Sequence, residues 1–290
     1  MPRTVTVAYL FPGQGSQFVG MGQGLFERFP DEVAAADVVL GYSIRRLCLD
    51  DPDQQLNQTA WTQPALFVVN ALMYLDHIRR TGNRPSCTAG HSLGEYSALF
   101  AAGVFDFVTG VRLVRKRGEL TARARGGGMA AVMGLTADRL RRVLQDTGLS
   151  RVELANMNSP EQVVITGPAD DIARAESELL ARGVRRYVRL PVSAAFHSSA
   201  MSGAAEQFGA FLDDFVVSNP RIPVISNVLA APYPDGQVKA LMVKQITSSV
   251  RWEETMLYLL RQPGMQMEEL GPGRVLTGLL DRIRQASVQS

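Results

Sequence analysis

The chain has 290 residues, enough for one large domain or a domain carrying a smaller one, and its 46% hydrophobic content predicts a globular protein with a substantial core. Thirty Lys and Arg against twenty-eight Asp and Glu leave a net charge of +2, which excludes the global bias of a nucleic-acid-binding protein; an acidic partner would have to meet a local patch. Two cysteines, Cys48 and Cys87, are too few for a disulfide framework. Without a signal-peptide pattern or an apolar run of membrane-spanning length, a cytoplasmic protein with no membrane contact is expected.

Val5 to Phe11 reads as a buried strand that ends in the turn Pro12-Gly13-Gln14-Gly15. Pro64 to Ile78 reads as a long apolar helix. From Cys87 the order is strand, sharp turn at Gly90 to Gly94, then a helix through Tyr96 and Phe100. Strands alternating with helices predict a parallel sheet. Between Gly126 and Leu190 the rhythm changes to strand, helix, strand, strand, helix, strand: Met129 to Met133, Ala137 to Asp146, Val152 to Met157, Gln162 to Thr166, Ala169 to Ala181 and Arg185 to Leu190. That is the ferredoxin-like βαββαβ pattern. The expected organisation is therefore an α/β large domain formed by residues 1–126 and 191–290, with 127–190 inserted as a small ferredoxin-like domain. Pro223 to Val228 reads as a further strand, Arg274 onward as an amphipathic helix, and Ala286 to Ser290 as a frayed end.

Gly90-His91-Ser92-Leu93-Gly94 fits the G-x-S-x-G nucleophile elbow, in which glycines permit the strand-to-helix turn that holds a serine hydroxyl at a helix N-terminus. A serine needs a base, and the sequence has three histidines. His77 falls near a helix end beside Arg79 and Arg80 and is expected to be solvated. His91 is expected to project to the other side of the strand. His197, in Ser193-Ala194-Ala195-Phe196-His197-Ser198, lies where the chain should re-enter the cleft, and is the expected base. No Asp or Glu stands out as a third member, so a Ser–His dyad with its imidazole oriented by a backbone carbonyl fits better than a triad. Oxyanion donors would be the backbone amides of Leu93 and of Gln14 in the glycine-rich turn.

Phe107 to Arg123 is a helix candidate whose Arg112, Arg115, Lys116, Glu119 and Arg123 share one face. Arg117 projects instead on the apolar side with Leu113 and Val114, where an unpaired guanidinium is costly. Its partner is either a protein carboxylate or a substrate carboxylate held bidentately; the pattern leaves both open. The segment from residue 127 to 190 also carries Arg139, Arg141, Arg142, Arg182, Arg185, Arg186 and Arg189, either solvated faces or a docking patch for an acidic partner.

Phe11-Pro12-Gly13-Gln14-Gly15-Ser16-Gln17, Thr62-Gln63-Pro64-Ala65, Gly90 to Tyr96, Arg117-Gly118, Asn156 to Gly167, Ala195-Phe196-His197-Ser198 and Gly271-Pro272-Gly273 to Gly278 occur in the order of one family's motifs. Over nearly its whole length the chain resembles the malonyl-CoA:acyl-carrier-protein transacylases and the acyltransferase domains of polyketide synthases. The stretches Gly41 to Leu75 and Phe100 to Asp106 are most similar to the free-standing acyltransferases that serve synthases lacking their own. The resemblance implies a hydrolase-like α/β domain with a ferredoxin-like insert, and ping-pong transfer of malonyl from malonyl-CoA through Ser92 to the phosphopantetheine thiol of an acyl carrier protein, with no bound cofactor or metal. It implies Ser92 as nucleophile, His197 as base, Gln14 and Leu93 as oxyanion amides, Arg117 as carboxylate clamp, and Gln63 and Phe196 at the acyl pocket. The Ala-Phe-His context is that of malonyl-selective members. Two departures stand out: Thr121 where a methionine is usual, which bears on acyl selectivity, and Ser249 and Arg251 for the usual proline and glutamine, which bear on how His197 is oriented. The rival functions are an acyl hydrolase clearing stalled chains, which would share the dyad without needing Arg117, and a malonyl transacylase of fatty-acid synthesis.

Overall fold

A computed structural model describes residues 6–289. In chain order it contains β1 (Thr6–Phe11), α1 (Pro30–Leu40), α2 (Ile44–Leu49), α3 (Thr59–Thr81), β2 (Cys87–Gly90), α4 (Gly94–Ala101) and α5 (Phe107–Arg123). There follow β3 (Gly127–Met133), α6 (Ala137–Asp146), β4 (Glu153–Ser159), β5 (Gln162–Pro168), α7 (Ala169–Leu180) and β6 (Arg186–Arg189). The chain ends with α8 (Ser202–Asp213), β7 (Val224–Ile225), α9 (Val238–Thr247), α10 (Trp252–Leu260), β8 (Met265–Glu269) and α11 (Val275–Gln289).

One sheet is parallel, in the order β7-β2-β1-β8. Its central strand alternates Tyr9 and Phe11 toward a core shared with α3, α4 and α5, and Ala8 and Leu10 toward a second core with Trp252, Met256, Leu276 and Ile283. Apolar residues on both faces of a strand are what a sheet covered by helices on both sides requires. Phe11 is level with Gly90 in the register, so the loops leaving β1 and β2 emerge side by side at the carboxyl edge of the sheet, where ligands bind in open parallel sheets.

The second sheet is antiparallel, in the order β4-β5-β3-β6, which is the strand order of a ferredoxin-like βαββαβ unit. One face packs α6 and α7 through Val132, Leu140, Ile165, Ile172 and Leu179. The other carries Met129, Ala131, Val164 and Leu190 and meets Phe196. Main-chain bonds from Val250 to Ala155 (2.8 Å) and from Met157 to Val250 (2.9 Å) stitch β4 to the chain entering α10, so this sheet's apolar face closes over the carboxyl edge of the first.

Several expectations are corrected. The long helix begins at Thr59, five residues before Pro64, which lies inside it; it stops at Gly82, whose φ of 70° forms a left-handed cap. The strand expected over Pro223 to Val228 shrinks to Val224–Ile225, because Ser226 and Asn227 turn away to bond elsewhere. A further strand lies at Met265–Glu269, where Met265, Gln266, Met267 and Glu268 give only a brief apolar–polar alternation. The expected frayed end continues as helix through Gln289; Val5 and Ser290 lie outside the described residues.

Candidate active site

Ser92 lies two residues past the end of β2 and two before the first residue of α4. Its φ of 52° is left-handed, a conformation that costs a non-glycine residue on the order of 1–3 kcal/mol and persists only where its surroundings enforce it. The enforcement is local. A Cβ on Gly94 would lie 2.0 Å from the Phe11 carbonyl oxygen, and one on Gly90 would lie 2.0 Å from the Gly94 carbonyl carbon; only glycine permits so tight a crossing. Asn227 closes the turn: its Nδ2 donates to the Gly90 carbonyl at 2.7 Å and its Oδ1 accepts from the Ser92 N–H at 2.8 Å.

Ser92 Oγ stands 2.7 Å from His197 Nε2. The other ring nitrogen, Nδ1, faces two main-chain carbonyls, Gln245 at 3.0 Å and Ser248 at 3.1 Å. Carbonyls only accept, so Nδ1 carries the proton and Nε2 keeps a lone pair toward the serine. Burial, and then the nearby Arg117 guanidinium, push the imidazole down to about 3, so it stands neutral and ready to take a proton at ordinary pH. His197 also has a left-handed φ of 59°. Both members of the pair are thus held in strained backbone.

The main-chain N–H groups of Leu93 and Gln14 find no acceptor among the described residues. Gly13 brings them together, since a Cβ there would lie 2.3 Å from the His91 carbonyl oxygen and 3.5 Å from Leu93 N. Two free donors beside a serine hydroxyl at the start of a helix are suited to a developing oxyanion.

Arg117 is 4% exposed. Its Nη1 donates to Gln63 Oε1 at 2.8 Å and its Nη2 to Gln245 Oε1 at 3.2 Å. Nε has no hydrogen-bond partner, and the guanidinium carbon lies 5.5 Å from the Tyr96 ring centroid. Of the two partners expected from the sequence, a protein carboxylate is not in contact with it among the described residues; two neutral amides hold it instead. A guanidinium so placed retains donors for an incoming carboxylate. Gln14, Gln63, Ser92, Leu93, Arg117, Phe196 and His197 line one cavity of about 110 Å³ with Met129, Asn156, Leu190, Val192 and His91. Drug-sized ligands need roughly 300 Å³ or more, so this is room for a short acyl group. A larger groove of about 900 Å³ between α10 and α11 contains none of these groups.

Thr121, expected at the pocket, sits one residue behind it. Its Oγ1 donates to the Arg117 carbonyl at 2.8 Å and accepts from Gln63 Nε2 at 3.1 Å, so it touches the site through Gln63. Of the other two histidines, His77 differs from the solvated position expected of it. His77 is largely buried against the Tyr9 hydroxyl, 2.8 Å away, and Glu268, 3.5 Å away. His91 lines the cavity, hydrogen-bonded to Asn158 at 2.7 Å and edge-on to Trp252, and burial lowers its pKa. Ser249 donates to the Leu154 carbonyl, while Arg251 binds the Val228 and Leu229 carbonyls and Glu254; of this stretch it is Ser248 that touches the imidazole. Three residues escaped sequence reasoning. Asn227 and Gln245 carry no local signal, being joined to Ser92 across 135 and 153 positions. Glu95 had one: a carboxylate amid the apolar run Tyr96, Ala98 and Leu99 at the start of α4.

Comparison with known proteins agrees with the geometry. The polyketide biosynthesis malonyl CoA-acyl carrier protein transacylase BaeC of Bacillus velezensis is 52% identical over 98% of this chain and 99% of its own. The crystal structure of the malonyl CoA-acyl carrier protein transacylase from Burkholderia pseudomallei superposes with a TM-score of 0.94, at 50% identity over 97% of this chain and 99% of that one. A type II polyketide synthase acyl-carrier protein in complex with its malonyl-transacylase, PlMCAT:AntF, gives a TM-score of 0.91, at 38% identity over 97% of this chain and 93% of that one. The profile of the acyl transferase domain matches residues 8–267, from the central strand of the parallel sheet to its edge strand and across the antiparallel sheet between them, and the chain belongs to that family.

Proposed function

We propose that this protein transfers a malonyl group from malonyl-CoA to the phosphopantetheine thiol of an acyl carrier protein and supplies a polyketide synthase in trans. The observation that carries the substrate class is Arg117, a buried guanidinium in the cavity of Ser92 with no carboxylate in direct contact. The likeness to BaeC supports the polyketide role.

In this reading His197 Nε2 takes the Ser92 proton as Oγ attacks the thioester carbonyl. The Leu93 and Gln14 amides receive the oxyanion, and the C–S bond breaks with the His197 proton passing to the departing thiolate. The carrier's thiol then reverses the sequence: its proton goes to His197, its sulfur attacks the malonyl ester, and Ser92 leaves with the proton returned. Phe196 and Gln63 bound the acyl group while Arg117 binds its distal carboxylate. Residues 127–190 act as an inserted domain that walls the cleft, and Arg185 and Arg186 on β6 and the turn before it form part of the carrier-binding face; the complex of a related transacylase with its carrier protein supports a protein partner. Two buried free thiols, Cys48 and Cys87, suit a reducing cytoplasm.

Intact mass after incubation with malonyl-CoA or acetyl-CoA, without carrier, tests this. A persistent malonyl adduct that needs Ser92 and greatly exceeds the acetyl adduct is expected. Rapid release of free acid, or preference for acetyl, would return the protein to the hydrolases and Arg117 to a structural role.

A further inference from the structure

Glu95 is 1% exposed and lies one turn into α4 from the nucleophile. Its Oε2 accepts from the Asn227 N–H at 3.0 Å and from Gln245 Nε2 at 3.1 Å, and its Oε1 accepts from the Tyr233 hydroxyl. The Gln245 amide faces two ways. Its Oε1 accepts from Arg117 Nη2 at 3.2 Å while its Nε2 donates to Glu95. Guanidinium, amide and carboxylate thus form one buried line, in which the cation polarises the amide in the sense that favours the anion at the other end.

This arrangement solves a problem set by the site. A buried guanidinium with no anion nearby is costly, yet one in direct contact with a protein carboxylate has its donors occupied. Separation by one amide leaves the charge balanced and the donors free. We infer that Glu95 is the counter-charge of Arg117, held one amide away by Gln245, and that it surrenders its charge when a substrate carboxylate occupies Arg117. Glu95 is a specificity-determining positioning residue: it touches neither the acyl group nor the reacting atoms.

The groups turned toward Glu95 fit such an exchange. Tyr233 from the loop after β7, Tyr96 on its own helix, and Arg117 on α5 surround it, with His197 reached only through the Gln245 main chain. Burial pushes its carboxyl up to about 7, against the lowering pull of Tyr233, Gln245, the Asn227 N–H and Arg117. Two carboxylates sharing one guanidinium raise the proton affinity of the less well solvated member, so malonyl binding draws a proton from solvent onto Glu95. The Tyr233 oxygen can then accept where it had donated, and the two N–H donors on Oε2 are undisturbed.

The role of Glu95 rests on the reading of Arg117 as the carboxylate clamp, so the experiment separates the two. Single-turnover self-acylation is followed from about pH 6 to about pH 8.5 with malonyl-CoA and with acetyl-CoA, the latter reporting any titration of the CoA moiety itself. In the wild type the half-saturating malonyl-CoA concentration should rise roughly tenfold across this range, one unit of coupling between the carboxylates, while that for acetyl-CoA stays flat. Glu95→Gln, which can accept from both N–H groups and donate to Tyr233, should remove the rise and hold the low value throughout. Tyr233→Phe, which takes a donor from the carboxylate, should move the rise to higher pH; it decides the matter if Glu95→Gln does not fold. A wild type without malonyl preference overturns the clamp itself. A malonyl preference with a flat wild-type profile, or with a rise that persists unchanged in both variants, overturns the role of Glu95 alone.

Discussion

Asn227 bridges both sides of the turn that carries Ser92, accepting from its N–H at 2.8 Å and donating to the Gly90 carbonyl at 2.7 Å. The serine's left-handed φ of 52° is therefore maintained by a residue 135 positions away. Asn227→Ala leaves a buried N–H and a buried carbonyl unpaired, each at about 1–3 kcal/mol, and frees the elbow to relax. Single-turnover malonylation is expected to slow by about a hundredfold, with the malonyl-to-acetyl ratio nearly unchanged because Arg117 is not involved. A loss of selectivity equal to the loss of rate would mean that Asn227 supports the whole cavity rather than the turn.

Thr121 orients Gln63 by its hydroxyl. With Oγ1 committed as donor to the Arg117 carbonyl, it accepts from Gln63 Nε2, and so the amide presents its oxygen to Arg117. Thr121→Val keeps the shape and removes the hydroxyl, allowing Gln63 to turn its NH₂ toward the guanidinium. The half-saturating malonyl-CoA concentration should rise by about three- to tenfold, the worth of a buried hydrogen bond, with a smaller change in the maximal rate. Thr121→Ser should restore the wild-type value. A pocket-filling role would instead make Ser and Val both favour larger acyl groups, as read by competition between malonyl-CoA and a branched homologue.

What the sequence disclosed and what it concealed follow from range. The elbow is legible because its glycines, serine and flanking strand and helix lie within a few residues, where backbone geometry is set by neighbours. The antiparallel sheet and its two helices are legible because six short elements follow one another in the strand, helix, strand, strand, helix, strand order, and Arg117 because a cation breaks the apolar face of its own helix. Gln245 is different. Its side chain joins Ser92, Glu95 and Arg117, and its carbonyl joins His197, but α9 gives only its own periodicity and no hint of what packs against it. Polar networks built from four separated segments leave no periodic trace in any one of them. His77 departs from its expected exposure for a related reason: a helix end is expected to be wet, but the Tyr9 ring from β1 covers it.

The low proton affinity of His197 gives a pH dependence of definite sign. An exposed histidine loses its function as a base below about 6.5; this one, depressed to about 3 chiefly by burial, stays neutral well below that. At saturating malonyl-CoA the self-acylation rate should therefore show no acid limb near 6.5. Stability behaves oppositely. The unfolded chain takes up a proton at this histidine below about 6.5 whereas the folded chain does not until about 3, so its contribution is lost progressively as pH falls through that window. Folding midpoints of wild type and His197→Ala, measured between about pH 4 and pH 7, should converge as the pH is lowered. A wild-type rate that halves near 6.5 would show an imidazole exposed to water in solution.

Arg185 and Arg186 are neighbours with different commitments. Arg185 is already paired with Glu161, although both are largely exposed, and an exposed pair contributes at most about 1 kcal/mol and can exchange partners. Arg186 is exposed and forms no ion pair among the described residues. An acidic partner docking here would meet an unspent charge at Arg186 but would have to compete with Glu161 for Arg185. Charge reversal at Arg186 should raise the Michaelis constant for the carrier by about tenfold, chiefly through slower association, and reversal at Arg185 by less. Self-malonylation without carrier should be unaffected in both, since neither side chain lines the cavity of Ser92. Added salt should shrink the difference between wild type and Arg186→Glu, because screening acts on the encounter rather than on the chemistry. Equal effects of the two reversals would indicate that the carrier draws Arg185 away from Glu161; no effect of either would move the docking face off β6 altogether.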